Sequence, residues 1–193
     1  MYQTLFSYFE EKSQLKLSEA EKSIITNGFN RKKLKKKQFF LQSGDICYVM
    51  GFIVKGSSRM YSIDKKGQEH ILKFALEGWW TGDYESHWLN IPSLYNVEML
   101  EDSEILTVTN EKIRHMIATI PSVDKTVRVL DQRATIAGAQ RMHAAISMTA
   151  EERYDDLSKA YPEFLIRFPQ NMIASYLGVT PETLSRIKKN IMK

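Results

Sequence analysis

The chain has one cysteine, Cys47, in 193 residues. That excludes an intrachain disulfide framework and any zinc or iron–sulfur cluster built from the cysteines of one chain, and it fits a reducing compartment. Glycine and proline are scarce too, at 9 and 5 residues, so no stretch reads as a low-complexity linker. No apolar run approaches the roughly 18 residues of a membrane span. The N-terminus, MYQTLFSYFEEK, carries acids where a secretory signal needs a basic start and an apolar core. These absences place the protein in the cytoplasm with no membrane partner. Histidine is sparse as well. His70, His87, His115 and His143 lie 17, 28 and 28 residues apart, unlike the clustered His and carboxylate ligands of a metal-dependent β-roll enzyme. No Gly-x-Ser-x-Gly or comparable nucleophile motif occurs. The residues therefore predict no enzyme: no catalytic residue, no metal site and no cofactor.

What remains is ordinary globular composition, 43% hydrophobic and 26% charged, in a length that holds one large or two small domains. The net charge of +4 favours no partner alone, but its distribution is uneven. Residues 31–37 hold six basic residues in seven positions, and residues 182–193 set Arg186, Lys188, Lys189 and Lys193 against the single acid Glu182.

Ser18-Glu-Ala-Glu21 is a capping box, which predicts a short helix to about Thr26. Between residues 34 and 77, short β-branched and apolar runs (Phe39–Leu41, Tyr48–Val54, Arg59–Ile63, Ile71–Phe74) alternate with the turn signals Gly44-Asp45, Gly56-Ser57 and Lys65-Lys66-Gly67. Further strands are predicted at Asn96–Leu100 and Glu104–Thr109. Seven or eight short antiparallel strands imply a β-roll or jelly roll. The basic run 31–37 reads as a solvated edge strand, its lysines discouraging strand-to-strand aggregation, or as a contact to DNA flanks. After Thr109 the pattern turns helical: Asn110 caps a short helix ending near Pro121, and a long helix runs from Ser122 to about Ser147. Val123, Val127, Leu130, Ala134, Ala137, Arg141, Ala144 and Met148 follow alternating four- and three-residue steps, the seam of a paired helix with Arg141 its weak point, or else the face of a helix packed on its own β-domain. Thr149-Ala-Glu-Glu152 is a second capping box, whose helix stops before Pro162. The expected organisation is an α+β chain: a β-roll domain with short flanking helices (1–120), a dimerisation helix (121–148) and a C-terminal helical domain (149–193).

The most informative segment is 168–193. Pro169 is suited to a helix start. Ile173 and Leu177 share one face, Ala174 permits close crossing, and Gly178 supplies a left-handed helix end. Thr180 caps the next helix and Pro181 takes its first position. Leu184, Ile187 and Ile191 form its buried stripe, leaving Glu182, Ser185, Arg186 and Lys189 outside. This is a helix-turn-helix. Arg186 can donate two hydrogen bonds to guanine and Glu182 can accept from a cytosine amino group. Lys188, Lys189 and Lys193 suit phosphates, which add affinity without sequence information. The expected site is Thr180, Glu182, Thr183, Ser185, Arg186, Lys188 and Lys189, and the expected partner is double-stranded DNA. A plain helical hairpin, or a sensor that binds a protein partner instead of DNA, is the alternative.

Ile173-Ala174 through Leu177-Gly178, followed by Glu182-Thr183-x-x-Arg186, resembles the cyclic-AMP receptor/fumarate-nitrate regulator (Crp/Fnr) family of bacterial transcription factors along essentially the whole chain. The resemblance implies a cyclic-nucleotide-binding-like β-roll sensor, a dimerisation helix and a DNA-binding helix-turn-helix, hence a homodimer on a pseudo-palindrome that contacts or blocks RNA polymerase. It assigns Glu182 and Arg186 as the base-reading pair. A third reading residue, arginine in cyclic-AMP-responsive members, falls on Pro181, implying a different operator. Since Lys193 follows the recognition helix directly, it also implies no β-wing. Relatives that bind cyclic nucleotides carry Gly-Glu-Leu and, about a dozen residues on, Arg-Ser or Arg-Thr. Here Gly82-Asp83-Tyr84 occupies the first segment and Ser93-Leu94 the second, with no lysine or arginine between Lys73 and Lys112. Cyclic AMP is therefore not the expected effector, and the effector stays unknown. Trp79, Trp80, Tyr84 and Trp88 read either as filling of the roll or as an aromatic pocket for an uncharged ligand.

Overall fold

The computed structural model describes residues 1–191, with the Ile191 side chain outside that description. It divides into two compact units, Met1–Ser62 with Lys73–Gln132, and Ile63–Leu72 with Arg133–Lys193. The divisions fall after Ser62, Leu72 and Gln132.

The first unit opens with α1 (Tyr2–Ser13) and α2 (Glu19–Gly28). Helix α1 is absent from the sequence reading; it buries Leu5, Phe6 and Phe9. Helix α2 starts at the expected capping box: the Ser18 hydroxyl accepts from the Glu21 amide at 3.3 Å, and the Glu21 carboxylate accepts from the Ser18 amide at 2.7 Å. Among the described residues eight strands follow: β1 (Asn30–Leu34), β2 (Phe39–Leu41), β3 (Val49–Lys55), β4 (Ser58–Ile63), β5 (Glu69–Ala75), β6 (Trp80–Thr81), β7 (Asn96–Met99) and β8 (Ser103–Thr109), with the short helix α3 (Tyr84–Leu89) between β6 and β7. They form two four-stranded sheets ordered β1-β8-β3-β6 and β2-β7-β4-β5. This is the antiparallel roll expected from the strand pattern. Residues 31–34 of the basic run lie in β1, an edge strand paired with β8 alone, Asn30 opposite Thr107 and Leu34 opposite Ser103, and Lys35–Lys37 lie in the turn that follows. Lys33 and Lys35 reach Glu104 and Asp102 at 3.1 and 3.0 Å, ordinary exposed ion pairs worth little.

The core packs the first sheet against the helices on one side and, through Ile53 and Ile105, against Ala75 and Met99 of the second sheet. Phe52, Leu106 and Val108 of the first sheet pack with Leu5, Phe9 and Ile25 of α1 and α2 and with Met116, Ile120 and Val123. A cross-strand ion pair is enclosed in the second sheet, where Arg59 donates to Glu98 at 2.8 and 2.7 Å and stacks over Tyr61.

Helix α4 (Asn110–Thr119) corrects one expectation. Its cap is Thr109, whose hydroxyl accepts from the Lys112 amide, while Asn110 donates its side-chain amide to the His87 carbonyl at 2.6 Å. Helix α5 (Pro121–Ser147) then runs from one unit into the other. Val123 and Thr126 are buried, but residues 131–143 are exposed along nearly their whole length. Arg141 also departs from the expected seam: its guanidinium turns to backbone carbonyls of Ile71 and Leu72.

The second unit holds the tip of the β4–β5 hairpin, the end of α5, and α6 (Ala150–Ala160), α7 (Pro162–Arg167), α8 (Gln170–Leu177) and α9 (Pro181–Ile191). The Thr149–Glu152 capping box starts α6 with both reciprocal bonds in place. Pro162, expected only as a stop, also begins α7. Phe164 anchors this unit: it is 2% exposed and meets the rings of Tyr161, Phe168 and Tyr176.

Candidate nucleic-acid interface

Helix α8 begins one residue later than expected, with Pro169 in the capping position and Gln170 first in the helix. It ends where a left-handed residue is needed: Gly178 has φ +70°. The Gly178 amide donates to Ser175 and the Val179 amide to Ala174, at 3.1 and 3.0 Å. Two carbonyls that the helix would leave orphaned are thereby satisfied. Arg153 of α6, unforeseen from sequence, satisfies a third by donating to the Leu177 carbonyl at 3.2 Å, and it also donates to Met148 at 2.9 Å.

Two residues later Thr180 caps α9, its hydroxyl accepting from the Thr183 amide at 3.3 Å and lying 3.2 Å from the Thr183 hydroxyl. Ile173, Ala174 and Leu177 of α8 and Leu184 and Ile187 of α9 are buried against each other and their neighbours. The Ile191 side chain and Lys193 lie outside the described residues. Burial of one stripe decides which face is left. Glu182, Ser185, Arg186 and Lys189 are exposed, and Thr183 and Lys188 are half-buried.

Glu182 and Arg186 are four residues apart in one helix and so lie on one face. The Glu182 carboxylate accepts from its own backbone amide and from the Thr180 hydroxyl, which hold it below the usual carboxylate range, with a smaller contribution from Arg186. It is ionised at neutral pH, an acceptor fixed in the first turn. Lys188 and Lys189 lie in the last turn, where cations suit the helix dipole.

In the first unit, the Gly82–Ser93 segment that the resemblance sets against a nucleotide site is hydrogen-bonded to itself. Asp83 is buried and caps α3, accepting from the Glu85 and Ser86 amides at 3.1 and 3.4 Å. Its other oxygen accepts from the Ser93 hydroxyl at 2.7 Å. Ser93 thus closes onto Asp83. The recess lined by Ser58, Met60, Lys73, Phe74, Thr81 and Gly82 is too tight for a water molecule, and the Ser58 and Thr81 hydroxyls bond at 2.8 Å across it. At Gly82, with φ +127°, an added Cβ would lie 2.8 Å from the Met50 sulfur, so the Met50 side chain would have to shift. Trp80 packs on Tyr8, Phe29 and Phe52, and Trp88 on Tyr84 and His87.

Residues 31–120 match the family model of the cyclic nucleotide-binding domain. The chain is 27% identical over 189 residues to the regulatory protein HlyX of Actinobacillus pleuropneumoniae, covering 92% of this chain and 78% of that one. It is 28% identical over 190 residues to the fumarate and nitrate reduction regulatory protein of Yersinia pestis, covering 92% and 75%. The chain belongs to the Crp/Fnr family of transcription regulators. Its fold is shared with FixK2 of Bradyrhizobium japonicum, at TM-score 0.70 and 18% identity over 85% of this chain and 84% of that one. As a Crp/Fnr regulator it is a DNA-binding protein, and the fold is the antiparallel nucleotide-binding-type roll followed by a long helix and a helical C-terminal region. No described helix is long and apolar enough to cross a membrane.

Proposed function

We propose that this Crp/Fnr regulator binds a pseudo-palindromic operator as a homodimer, reading bases with Glu182 and Arg186, and that its effector is not cyclic AMP. The observation that carries the reading is the outer face of α9: a fixed carboxylate and a guanidinium four residues apart, both exposed on a helix whose opposite stripe is buried. Such a pair suits adjacent base pairs in a major groove. Thr180, Thr183, Ser185, Lys188 and Lys189 surround it as phosphate contacts. Pro181 donates nothing, so the operator differs from that of relatives with arginine there.

A second copy of the chain suits the exposed stretch of α5. Ile136, Met142 and Ile146 are 58%, 66% and 77% exposed, and covering them with a partner helix removes apolar surface from water. Two recognition helices then stand about 34 Å apart, one turn of DNA. Promoter-bound protein acts on transcription by contacting or blocking RNA polymerase.

A buried cyclic phosphate between Asp83 and Ser93 would meet a carboxylate and no arginine, losing roughly 1.5–3 kcal/mol of charge-assisted hydrogen bonding. Gel-shift titrations on genomic fragments across a salt series test the DNA reading. Affinity should fall steeply with salt while one class of fragment stays preferred; no preferred fragment at any salt contradicts it. Calorimetry should show no cyclic AMP binding at micromolar concentration, and a micromolar Kd overturns that part.

A further inference from the structure

Strand β5 is the edge of its sheet, so alternate backbone groups along its outer side have no strand partner. At the tip of the β4–β5 hairpin these groups are met by side chains of the helical part of the same unit. The Ser175 hydroxyl of α8 accepts from the Ile71 amide at 3.0 Å and donates to the Glu69 carbonyl at 2.9 Å. The next outward group, the Ile71 carbonyl, accepts from Arg141 of α5 at 3.2 Å. The Arg141 guanidinium also donates to the Leu72 carbonyl and, at 3.2 Å, to the carbonyl of Tyr176, and it lies 4.2 Å from the centroid of the Tyr176 ring. Three segments distant in sequence are thus clasped by two side chains. A hydroxyl serves at Ser175 because it donates and accepts at once. An arginine is required because its planar fork serves several carbonyls while stacking on a ring, which a lysine ammonium does not do.

We propose that Arg141 and Ser175 are positioning residues for DNA reading, holding α8, and with it the recognition helix, against the hairpin. Helix α9 follows α8 after only Gly178, Val179 and Thr180 and shares its buried stripe, so the orientation of α8 sets that of α9. The clasp touches neither Glu182 nor Arg186, whose face stays open. It therefore fixes where the reading face points without covering it. Strand β5 also continues without a break from Ile71 into Phe74 and Ala75, buried residues of the other unit, so a shift of this strand is carried covalently to the clasp.

The inference rests on the DNA reading proposed above, and its test separates the two. The full chain is used to select a preferred fragment from a random DNA library, and binding is then compared on that two-half-site fragment and on one half-site alone. A misdirected recognition helix still reads one half-site but cannot meet two at fixed spacing. Ser175→Ala and Arg141→Lys should each weaken the two-half-site complex about tenfold, an ordinary size for coupled sites, and leave the single half-site within about twofold. Ser175→Thr, which keeps the hydroxyl, should restore two-half-site binding. Equal losses on both fragments, or no loss on either, overturn the positioning role. If the unmodified chain selects no fragment, the DNA reading itself fails and this role falls with it.

Discussion

Replacing Gly178 by alanine isolates the cost of one backbone angle. Gly178 has φ +70°, and a Cβ built there meets nothing within 4 Å. Crowding therefore contributes nothing, and the whole penalty is the left-handed conformation, about 1–2 kcal/mol for an L-residue. Alanine also stiffens the unfolded chain, which offsets roughly 0.4–1 kcal/mol of that. The net expectation is a loss of about 1 kcal/mol, smaller for Gly178→Asn, since asparagine tolerates this region. The assay can be local. Trp79, Trp80 and Trp88 all lie in the first unit, so their fluorescence reports that unit, whereas far-UV circular dichroism follows the helices of both. In urea, Gly178→Ala should lower the dichroism midpoint and leave the fluorescence midpoint in place. Gly82→Ala supplies the contrast, because strain at φ +127° is joined by a 2.8 Å approach to the Met50 sulfur; it should move the fluorescence transition, and by more. A Gly178→Ala loss near zero or above about 3 kcal/mol would refute the assignment of this glycine as an uncrowded left-handed cap.

Glu98→Ala should cost about 3–5 kcal/mol in urea unfolding, because it leaves the Arg59 guanidinium enclosed without its carboxylate; the double variant Arg59→Met, Glu98→Leu should recover most of this. Stability should also fall in two acid windows. Burial pushes His87 below its ordinary 6.5, so the unfolded chain takes up the proton first and stability drops as pH falls from 6.5 toward the folded value; His87→Gln should remove this component. The Thr149 amide and hydroxyl hold Glu152 below 4.5, so its contribution is complete above that pH and is lost as pH falls below it, a component that Glu152→Gln should abolish in the same unfolding-versus-pH series.

The helix-turn-helix is legible in sequence because its determinants are local. A glycine at the left-handed end, a threonine cap with proline after it and a stripe at helical spacing each act within a few residues. The roll is legible for the same reason, its strands being bounded by Gly44, Gly56 and Gly67. The misreadings come from what is not local. Helix α1 starts at Met1 with no side-chain cap and is held by packing of Leu5 and Phe9 into the roll. Thr109 and Asn110 are both capping types, and the tertiary bond from Asn110 to His87 decides between them. Periodicity put Arg141 on a helix seam; its partners Ile71 and Leu72 stand about seventy residues earlier in the chain, beyond any spacing rule. That no lysine or arginine lies between Lys73 and Lys112 could be read directly, but that Ser93 turns inward to Asp83 could not.

Base reading by Arg186 and Glu182 is open to direct measurement. Fragments bound by the unmodified chain and by Arg186→Ala should be selected in parallel from one random library and sequenced. The unmodified chain should yield a two-fold symmetric consensus. In Arg186→Ala, preference should relax at one base pair of each half-site, with specific binding weakened by about 1–3 kcal/mol and the remaining positions unchanged. An identical consensus from both proteins would contradict the account, because Arg186 would then carry no sequence information.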